Sequence, residues 1–383
     1  MGTMHVHPAR VGSLGGRPSS GTWNSFDLQL AFFALALAVV GLLMAYTSSG
    51  DSPLEAGSIF TRGLMWLAIA IVMFTVAAAV DYRWLKTLAW PVYLVNLALL
   101  VLTLVVGSGV GGVSRWVTIG PLQFQFSELA KILMAVVLAN YLAGRQGQLK
   151  SLATTLGAFL LVVPALALVL IQPDLGTSLV FGAILFGSLF LSGAGLRWLL
   201  IAAAGVLAMV PVAWTYILED YQKRRLISFL DPSADPQGSG YQLIQSQIAV
   251  GSGGVFGRGL TNGSQTQLDY LPVSATDFVG ATLAEELGFV GGVVLLLLFG
   301  ALLWRILVVG WRSRDAFGLA FAAAIASMLL FQLMVNFGMV LGMMPVTGIP
   351  LPFVTHGGAS LTSYAIGLGI LQSVAMRQGR PAW

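Results

Sequence analysis

The chain has 383 residues, of which 57% are hydrophobic and only 9% are charged. Soluble globular domains carry roughly 25% charged residues, so this composition indicates a protein whose natural solvent is lipid. The sequence contains no cysteine and three histidines, which excludes disulfides and thiol catalysis and argues against a histidine metal cluster. The small excess of basic residues, 19 against 15 acidic, fits loops beside a membrane, and we expect no nucleic-acid partner.

The N-terminal segment Met1–Thr22 is rich in Gly, Ser and Pro. It contains no apolar run of signal-peptide length. We therefore expect residues 1–22 to be a disordered cytoplasmic tail, in part a tag remnant, and residues 23–383 to form a single transmembrane domain.

Ten hydrophobic runs follow this tail. A membrane-spanning helix needs about 20 apolar residues, and unpaired backbone groups are not tolerated in lipid. The sequence therefore predicts an all-α polytopic membrane protein with about ten transmembrane helices. The ten runs are Leu28–Thr47, Gly63–Val80, Leu88–Gly107, Leu129–Ala143, Leu152–Ile171, Leu175–Gly193, Leu196–Tyr216, Phe278–Trp311, Ala316–Leu341 and Ser360–Met376.

The distribution of Lys and Arg predicts the orientation of these helices. Ten spans put both termini on one side of the membrane. If that side is the cytoplasm, the inner segments hold twelve Lys or Arg and the short outer loops hold two. Cytoplasmic loops carry an excess of Lys and Arg, so we expect both termini in the cytoplasm.

One long polar segment, about residues 217–276, separates the seventh and eighth runs and is expected to lie outside the cytoplasm. Loops of this length are usually functional or disordered. It contains a run of turn formers, Asp231–Gly240, and then an amphipathic stretch, Tyr241–Val250, typical of a short helix along a membrane face. The Gly-rich stretch Gly251–Gly259 follows no predicted strand, so a dinucleotide site is weakly indicated. Its backbone N–H groups could still hold a phosphate.

Asp277 stands where the long segment meets the eighth run. Partial burial raises the pKa of a carboxyl, which makes Asp277 a candidate general base. An ordinary N-cap of the following helix is an equally good interpretation. Glu285 and Glu286 lie about 80° and 180° around that helix from Asp277. We therefore expect each of them to have its own partner in the bundle.

Glu128 and Lys131 are spaced i,i+3 at the start of the fourth run, which puts them on one face of a helix. A structural ion pair explains them, but charge inside a membrane span seldom faces lipid. We favour the wall of a cavity.

Further polar candidates lie at the same end of the predicted bundle. In Gln172–Thr177, Pro173 ends a helix and Asp174 is expected to cap the next one. Arg115 and Trp116 combine a cation with an interfacial aromatic ring. Positive charge for an anionic lipid-linked substrate is available from Lys223, Arg224, Arg225 and Arg258, although contact with lipid headgroups is the simpler account.

The chain resembles the SEDS (shape, elongation, division and sporulation) family, which includes the RodA, FtsW and SpoVE groups. Its short tail and compact size are most similar to the RodA group. The resemblance extends from about Phe26 to Gln372. The matching motifs are Ser114-Arg-Trp-Val-Thr-Ile-Gly120, Phe126-Ser-Glu-Leu-Ala-Lys131, Gln172-Pro-Asp-Leu-Gly-Thr177, Tyr241-Gln-Leu-Ile-Gln-Ser246, Gly251–Leu260, Asn262–Gln267, Thr276-Asp-Phe278, Ala284–Phe289 and Asn336 through Pro345–Phe353 to Gly358.

This resemblance implies a peptidoglycan glycosyltransferase of the bacterial cytoplasmic membrane, which polymerises lipid II at the outer face and works with a class B penicillin-binding protein. It implies that Asp277 is the catalytic acidic residue and that Trp116, Glu128 and Lys131 surround a central cavity. Lys131, Arg224, Arg258 or a bound divalent ion could meet the charge of the leaving pyrophosphate. No cofactor is established by the sequence; Mg²⁺ or Mn²⁺ held by Asp277 with substrate phosphates is left open.

At two places the sequence departs from the family pattern, and there the family's residue roles cannot be assigned to this chain. The residue two positions before Asp277 is Ala275, where the family usually has His. The C-terminal signature reads Thr355-His-Gly-Gly-Ala-Ser360, where the family usually has Ser-Tyr-Gly-Gly-Ser-Ser, so we assign no catalytic role to His356.

Two other functions remain: a lipid II flippase, because ten spans with buried charge also suit a transporter, and a non-catalytic scaffold for a penicillin-binding protein.

Overall fold

The computed structural model describes residues 22–378, apart from 51, 56, 108–114, 120, 121, 269 and 272–275. The predicted N-terminal tail, except for Thr22, and the family departure at Ala275 lie outside the described residues, as does Ser114 at the start of the first matching motif. The prediction of an all-α polytopic protein is confirmed, since helices account for most of the described chain.

Each of the ten hydrophobic runs forms a helix. Nine described spans are long and apolar enough to cross a membrane, and the tenth run is the 17-residue helix Leu175–Leu191. The helices are α1 (Leu28–Thr47), α2 (Ile59–Ala79), α3 (Arg83–Thr87), α4 (Ala89–Val106), α5 (Phe126–Ala143), α6 (Leu152–Ile171), α7 (Leu175–Leu191), α8 (Leu196–Ala208), α9 (Val210–Val212), α10 (Asp220–Leu230), α11 (Ser239–Gly253), α12 (Ser264–Gln267), α13 (Val279–Trp311), α14 (Ala316–Val340) and α15 (Gly358–Met376).

A short antiparallel hairpin stands between α4 and α5, formed by β1 (Val117–Ile119) and β2 (Leu122–Phe124). A π-helical turn, Ala213–Ile217, extends α8 and α9 into one span, Leu196–Ile217.

Both described ends of the chain lie at the same end of the helix bundle, which we call the terminal end. There the Arg377 guanidinium donates to the carbonyl of Ala79 at 3.0 Å. The opposite end carries the segment between α8 and α13, and we call it the long-loop end. The site described below lies at the long-loop end.

Several spans begin at a side chain that caps them. A helix leaves its first backbone N–H groups without partners, and a side-chain oxygen at the N-cap accepts from one of them. Such caps lie on Asp27 before α1 (3.1 Å), Ser58 before α2 (3.1 Å), Ser151 before α6 (3.2 Å), Asp174 before α7 (3.0 Å) and Asp315 before α14 (3.1 Å).

Three helices form the centre of the bundle. The most apolar stretches of α5, α14 and α15 are 67%, 72% and 83% buried, whereas that of the Leu196–Ile217 span is only 6% buried. A helix that is apolar on all sides is either buried or faces lipid, so the remaining helices have large lipid-facing surfaces. The central helices also carry several buried polar side chains, among them Lys131, Gln332 and Tyr364.

The long segment packs on the bundle instead of extending from it. The predicted amphipathic helix is present as α11, somewhat longer than expected. Leu243, Ser246 and Ala249 are its buried face against α13 and α14, and the Ser246 hydroxyl donates to the carbonyl of Val340 at 2.8 Å. Ile244 and Ile248 remain exposed, so only part of its apolar surface is available to a membrane.

The Gly-rich stretch has a structural role that the sequence did not reveal. Helix α13 is interrupted at Gly288, whose φ is +67°, and the carbonyls of Glu285 and Glu286 accept from the N–H groups of Arg258 and Gly259 at 3.0 Å each. Beyond the break, the N–H groups of Phe289 and Val290 donate to the carbonyls of Gly254 and Val255 at 2.9 and 3.0 Å. The N–H groups of Arg258 and Gly259 therefore already donate to carbonyls of α13. The suggestion that the backbone N–H groups of this stretch hold a phosphate is wrong for these two groups.

An ion pair joins α1 to α13 near the terminal end. The Arg305 guanidinium contacts both Asp27 oxygens, with its Nε at 3.0 and 2.8 Å. Asp27 is 8% exposed and also caps α1, so it is oriented from two directions.

Arg305→Met should lower the thermal stability of the protein in detergent, because it leaves the Asp27 carboxylate nearly buried without its cation. Removing one partner of a fully buried pair costs about 3–5 kcal/mol, and the partial exposure of Arg305 reduces our expectation to about 2 kcal/mol. Thermal unfolding measures the effect. Arg312→Met, at an exposed position near the end of α13, is the control; an equal loss in both variants would contradict the prediction.

Candidate active site

A polar cavity of about 190 Å³ lies at the long-loop end of the bundle. It is bordered by the start of α5, the start of α7, helix α10, the residues before α13, the middle of α14 and the segment that follows α14. Its lining residues are Arg115, Trp116, Gln125, Glu128, Lys131, Asp174, Thr177, Val180, Arg225, Asp277, Gln332, Thr347, Gly348, Ile349 and Pro350.

Asp277 lies in this cavity, two residues before α13. The N-cap residue of α13 is Phe278, which makes no side-chain cap hydrogen bond, so neither Thr276 nor Asp277 occupies the N-cap position. The interpretation of Asp277 as an ordinary N-cap is therefore wrong, and its carboxyl is available to the cavity. This outcome removes the simpler of the two explanations for an acidic residue at this position.

The backbone around Asp277 is held by side chains from other elements. The amide Nδ2 of Asn336, on α14, donates to the carbonyl of Asp277 at 3.0 Å and to the carbonyl of Ile349 at 2.9 Å. The hydroxyl of Thr355 donates to the carbonyl of Thr276 at 3.2 Å. Because buried carbonyls need donors, these bonds fix the residues before α13 against the non-helical segment between α14 and α15.

The surroundings of Asp277 change its protonation. Burial raises the pKa of its carboxyl above the ordinary value, because a carboxylate loses hydration when it is enclosed. The nearby Arg225 lowers this pKa, Asp174 raises it further, and Arg115 lowers it again. The balance favours a carboxyl that binds a proton more readily than an exposed aspartate, as a general base must.

The predicted pair of Glu128 and Lys131 is present within α5. The Lys131 Nζ lies 2.8 Å from Glu128 Oε1, with Glu128 3% and Lys131 1% exposed. The Lys131 ammonium also lies 5.7 Å from the centre of the Tyr364 ring. Both residues line the cavity, so the ion pair and the cavity wall are the same feature.

Asp174 combines two roles at the rim of the cavity. Its Oδ1 accepts from the Thr177 N–H at 3.0 Å, which confirms the predicted cap, and its Oδ2 accepts from Gln125 Nε2 at 3.2 Å. Arg115 is held at the same rim by the carbonyl of Gln172 at 3.1 Å and the hydroxyl of Tyr221 at 2.7 Å. The site therefore places Asp174 and Arg115 beside Asp277.

Two adjacent arginines of α10 were considered from the sequence, and Arg224 was the one named for the leaving pyrophosphate. The structure places Arg225 in the cavity lining, whereas Arg224 is exposed and does not line the cavity. Arg258 also lies elsewhere: its side chain donates to the Ser252 carbonyl at 3.3 Å and to the Ser264 hydroxyl at 2.9 Å. The helical phase of α10, with Gln222 and Ser228 buried, is the signal that could have selected Arg225.

The other acidic candidates lie outside the cavity. Glu285 is fully buried and accepts from the Gln265 N–H at 3.0 Å, which confirms a partner within the protein. Glu286 is equally buried, but its carboxyl has no hydrogen-bond partner among the described residues. Glu286 nevertheless has its own polar neighbours within the bundle, none of them hydrogen-bonded to it: Thr47, Thr261 and Gln267.

His356 lies in a small crevice between α1, α2 and the start of α15, not in the cavity that contains Asp277. Burial and the charge of Arg62 lower its pKa to about 4, so the imidazole is neutral at physiological pH.

The cavity contains three carboxylates, from Glu128, Asp174 and Asp277, and three cations, from Arg115, Lys131 and Arg225. Within the described part of the chain, no group of three or more His, Cys, Asp or Glu side chains is placed to hold a metal ion. The arrangement offers an acid–base group beside two guanidinium groups, which suits the transfer of a group away from a phosphate.

Curated relatives match almost the whole chain. A protein named peptidoglycan glycosyltransferase MrdB from Escherichia coli (strain K12) is 37% identical over 354 residues, which cover 92% of this chain and 94% of the relative. Stage V sporulation protein E of Bacillus subtilis (strain 168) is 36% identical over 359 residues, covering 92% of this chain and 97% of the relative.

Solved structures match over a similar length. A chain from a structure described as the structural coordination of polymerization and crosslinking by a peptidoglycan synthase complex is 36% identical, with a TM-score of 0.78, and the match covers 93% of this chain and 99% of that one. The rod shape determining protein RodA of Thermus thermophilus is 31% identical, with a TM-score of 0.69, covering 94% and 99%.

The family model described as cell cycle protein, FtsW, RodA and SpoVE, matches residues 28–379. This match takes in all ten spans and every described residue that lines the cavity. The chain therefore belongs to the FtsW, RodA and SpoVE family of cell cycle proteins, which is the SEDS family that its motifs indicated.

Proposed function

We propose that this protein is a peptidoglycan glycosyltransferase that polymerises lipid II into glycan strands for cell elongation and shape maintenance. The names of its relatives and the match to a peptidoglycan synthase complex support this activity. The observation that carries the proposal is Asp277, a carboxyl enclosed in a polar cavity beside Arg115 and Arg225 and not used as a helix cap.

The reaction takes place at the outer face of the bacterial cytoplasmic membrane. The chain crosses the membrane several times. The excess of Lys and Arg in the segments of the terminal end supports a cytoplasmic location for both termini. The cavity at the long-loop end then opens where lipid-linked sugars are used.

In this mechanism the Asp277 carboxylate takes the proton from a sugar hydroxyl of the acceptor as that oxygen attacks the anomeric carbon of the donor. A glycosidic bond forms, and the bond from the anomeric carbon to the pyrophosphate oxygen breaks. The electron pair leaves with undecaprenyl pyrophosphate. Arg115 and Arg225 are positioned to stabilise the charge on this leaving group.

The lining of the cavity decides which of the cations considered from the sequence can contact the leaving pyrophosphate. Arg224 and Arg258 do not line it, and Lys131 is already paired with Glu128. The cavity residues do not fit a metal cage held by protein ligands alone, because two guanidinium groups share the space with Asp277. The mechanism therefore includes no step through Mg²⁺ or Mn²⁺.

The partner in this proposal is a class B penicillin-binding protein, which crosslinks the new strands. The structural match to a synthase complex of polymerization and crosslinking supports it. Membrane lipid surrounds the remaining helices, and lipid II is the substrate.

The purified protein, alone and with its partner, given lipid II in detergent, should form glycan strands that are lost in Asp277→Ala. Asp220→Ala is the matched control, because Asp220 lies in the same long segment with its side chain 90% exposed. Detergent abolishes sidedness, so a lipid II flippase would form no strands. A scaffold would likewise form none without its partner's own polymerase. Normal polymerisation by Asp277→Ala would overturn the mechanism.

The rate should increase with pH through the raised pKa of Asp277, because only the deprotonated carboxyl accepts a proton. Arg225→Met removes a charge that lowers this pKa and should move the acidic limb of the kcat/KM profile to higher pH. Asp174→Asn removes a charge that raises it and should move the limb to lower pH, while an Asn still caps α7. Shifts in the same direction would contradict this electrostatic account.

Asn336→Leu should lower kcat by about 100-fold with little change in KM, because a displacement of about 1 Å at a reacting group costs that much. Asn336 is a positioning residue that holds the Asp277 backbone and does not touch substrate. Its loss should also move the acidic limb of the pH profile, which general loosening of the bundle would not do. Asn96→Leu, another fully buried asparagine that lies on α4, is the control and should retain kcat.

A further inference from the structure

Gln332 lines the cavity but has no part in the mechanism above. It lies on α14, four residues before Asn336, and its side chain is fully buried. Four residues are about one helical turn, or about 6 Å along the axis. Gln332 therefore lies deeper in the bundle than the bonds that hold Asp277, on the same face of α14.

The orientation of the Gln332 amide is set by its neighbours. Its Nε2 donates to the Tyr364 hydroxyl at 2.9 Å. The tyrosine hydroxyl oxygen is the acceptor of this bond. The amide oxygen Oε1 is left facing away from Tyr364.

Two acceptor atoms in this part of the cavity have no donor. Gln332 Oε1 and Glu128 Oε2 are buried and have no hydrogen-bond partner among the described residues. Buried polar groups are normally paired, and each unpaired one needs an explanation. Both residues line a cavity, so a bound molecule can supply the missing donors.

The chemistry of the cavity differs between its two parts. Arg115 and Arg225 stand close to Asp277 and supply N–H donors, which suit a pyrophosphate. Glu128 Oε2 and Gln332 Oε1 are acceptors, and an ionised pyrophosphate has no proton to give them. Hydroxyl and acetamido N–H groups of an N-acetylated amino sugar are donors and do match them.

We propose that Gln332 is a substrate-binding residue, whose Oε1 accepts, together with Glu128 Oε2, hydrogen bonds from hydroxyl or amide N–H groups of the lipid-linked amino sugar. The proposal rests on the proposed function, because it names the sugar as the ligand of the same cavity. Gln332 thus recognises the hydrogen-bond donors of the sugar, whereas Asp277 removes the proton of the attacking hydroxyl.

The test compares Gln332→Met with Gln372→Met. Both glutamines are fully buried, and Gln372 likewise has unpaired polar atoms, but only Gln332 lines the cavity. Glycan polymerisation by Gln332→Met should show a KM raised about tenfold, the effect of losing one or two hydrogen bonds to substrate, with kcat within about threefold of wild type. Gln372→Met should keep both constants.

A binding measurement separates this proposal from the proposed function. Direct binding of lipid II in detergent is measured for Asp277→Ala with and without Gln332→Met, so no turnover is needed. Binding weakened about tenfold supports the sugar contact, even if no glycan strands form. Affinity within twofold of the parent variant would overturn it. Equal weakening by Gln372→Met would also overturn it, because the effect would then be loosening of the bundle.

Discussion

The site depends on the two hydrogen bonds that the Asn336 amide donates to the carbonyls of Asp277 and Ile349. Non-helical backbone at membrane depth is tolerated only where protein groups satisfy it. Here one side chain of the central helix α14 satisfies two such segments at once. Together with the Thr355 hydroxyl, which donates to the Thr276 carbonyl, it fixes the position of the acid relative to the segment after α14.

The cavity holds equal numbers of carboxylates and cations, and each cation lies near a carboxylate. The pair of Glu128 and Lys131 is almost completely buried, and a buried charge is stable only when it has a partner. Because Lys131 is paired with Glu128, the cationic donors left to contact a phosphate are those of Arg115 and Arg225 near Asp277. The electrostatics therefore distinguish one part of the cavity from the other, although the same types of side chain occur in both.

Features that depend on local sequence could be predicted. Hydropathy identified the ten spans, the i,i+3 spacing identified the pair of Glu128 and Lys131, and the Pro-Asp sequence identified the cap at Asp174. Each of these follows from chain geometry over a few residues.

Features that depend on contacts between distant elements could not be predicted. The choice of Arg225 over Arg224 is set by the rotation of α10 on the bundle, and the roles of Asn336 and Gln332 depend on residues elsewhere in the chain. The Gly-rich stretch looked like a ligand loop because its partner, the interruption of α13, is itself produced by packing. The family resemblance identified Asp277 as the catalytic candidate. The position of Asp277 in the sequence, taken alone, supported a general base and a helix N-cap equally well.

The interruption of α13 at Gly288 has a mechanical consequence. The short segment that begins just after Asp277 is separated from the rest of α13 by a joint, and the Gly-rich stretch is bonded to both sides of that joint. Because the Gly-rich stretch is bonded to both parts of α13, it sets the angle between them. A displacement of this stretch would therefore change the orientation of the short segment that begins just after Asp277.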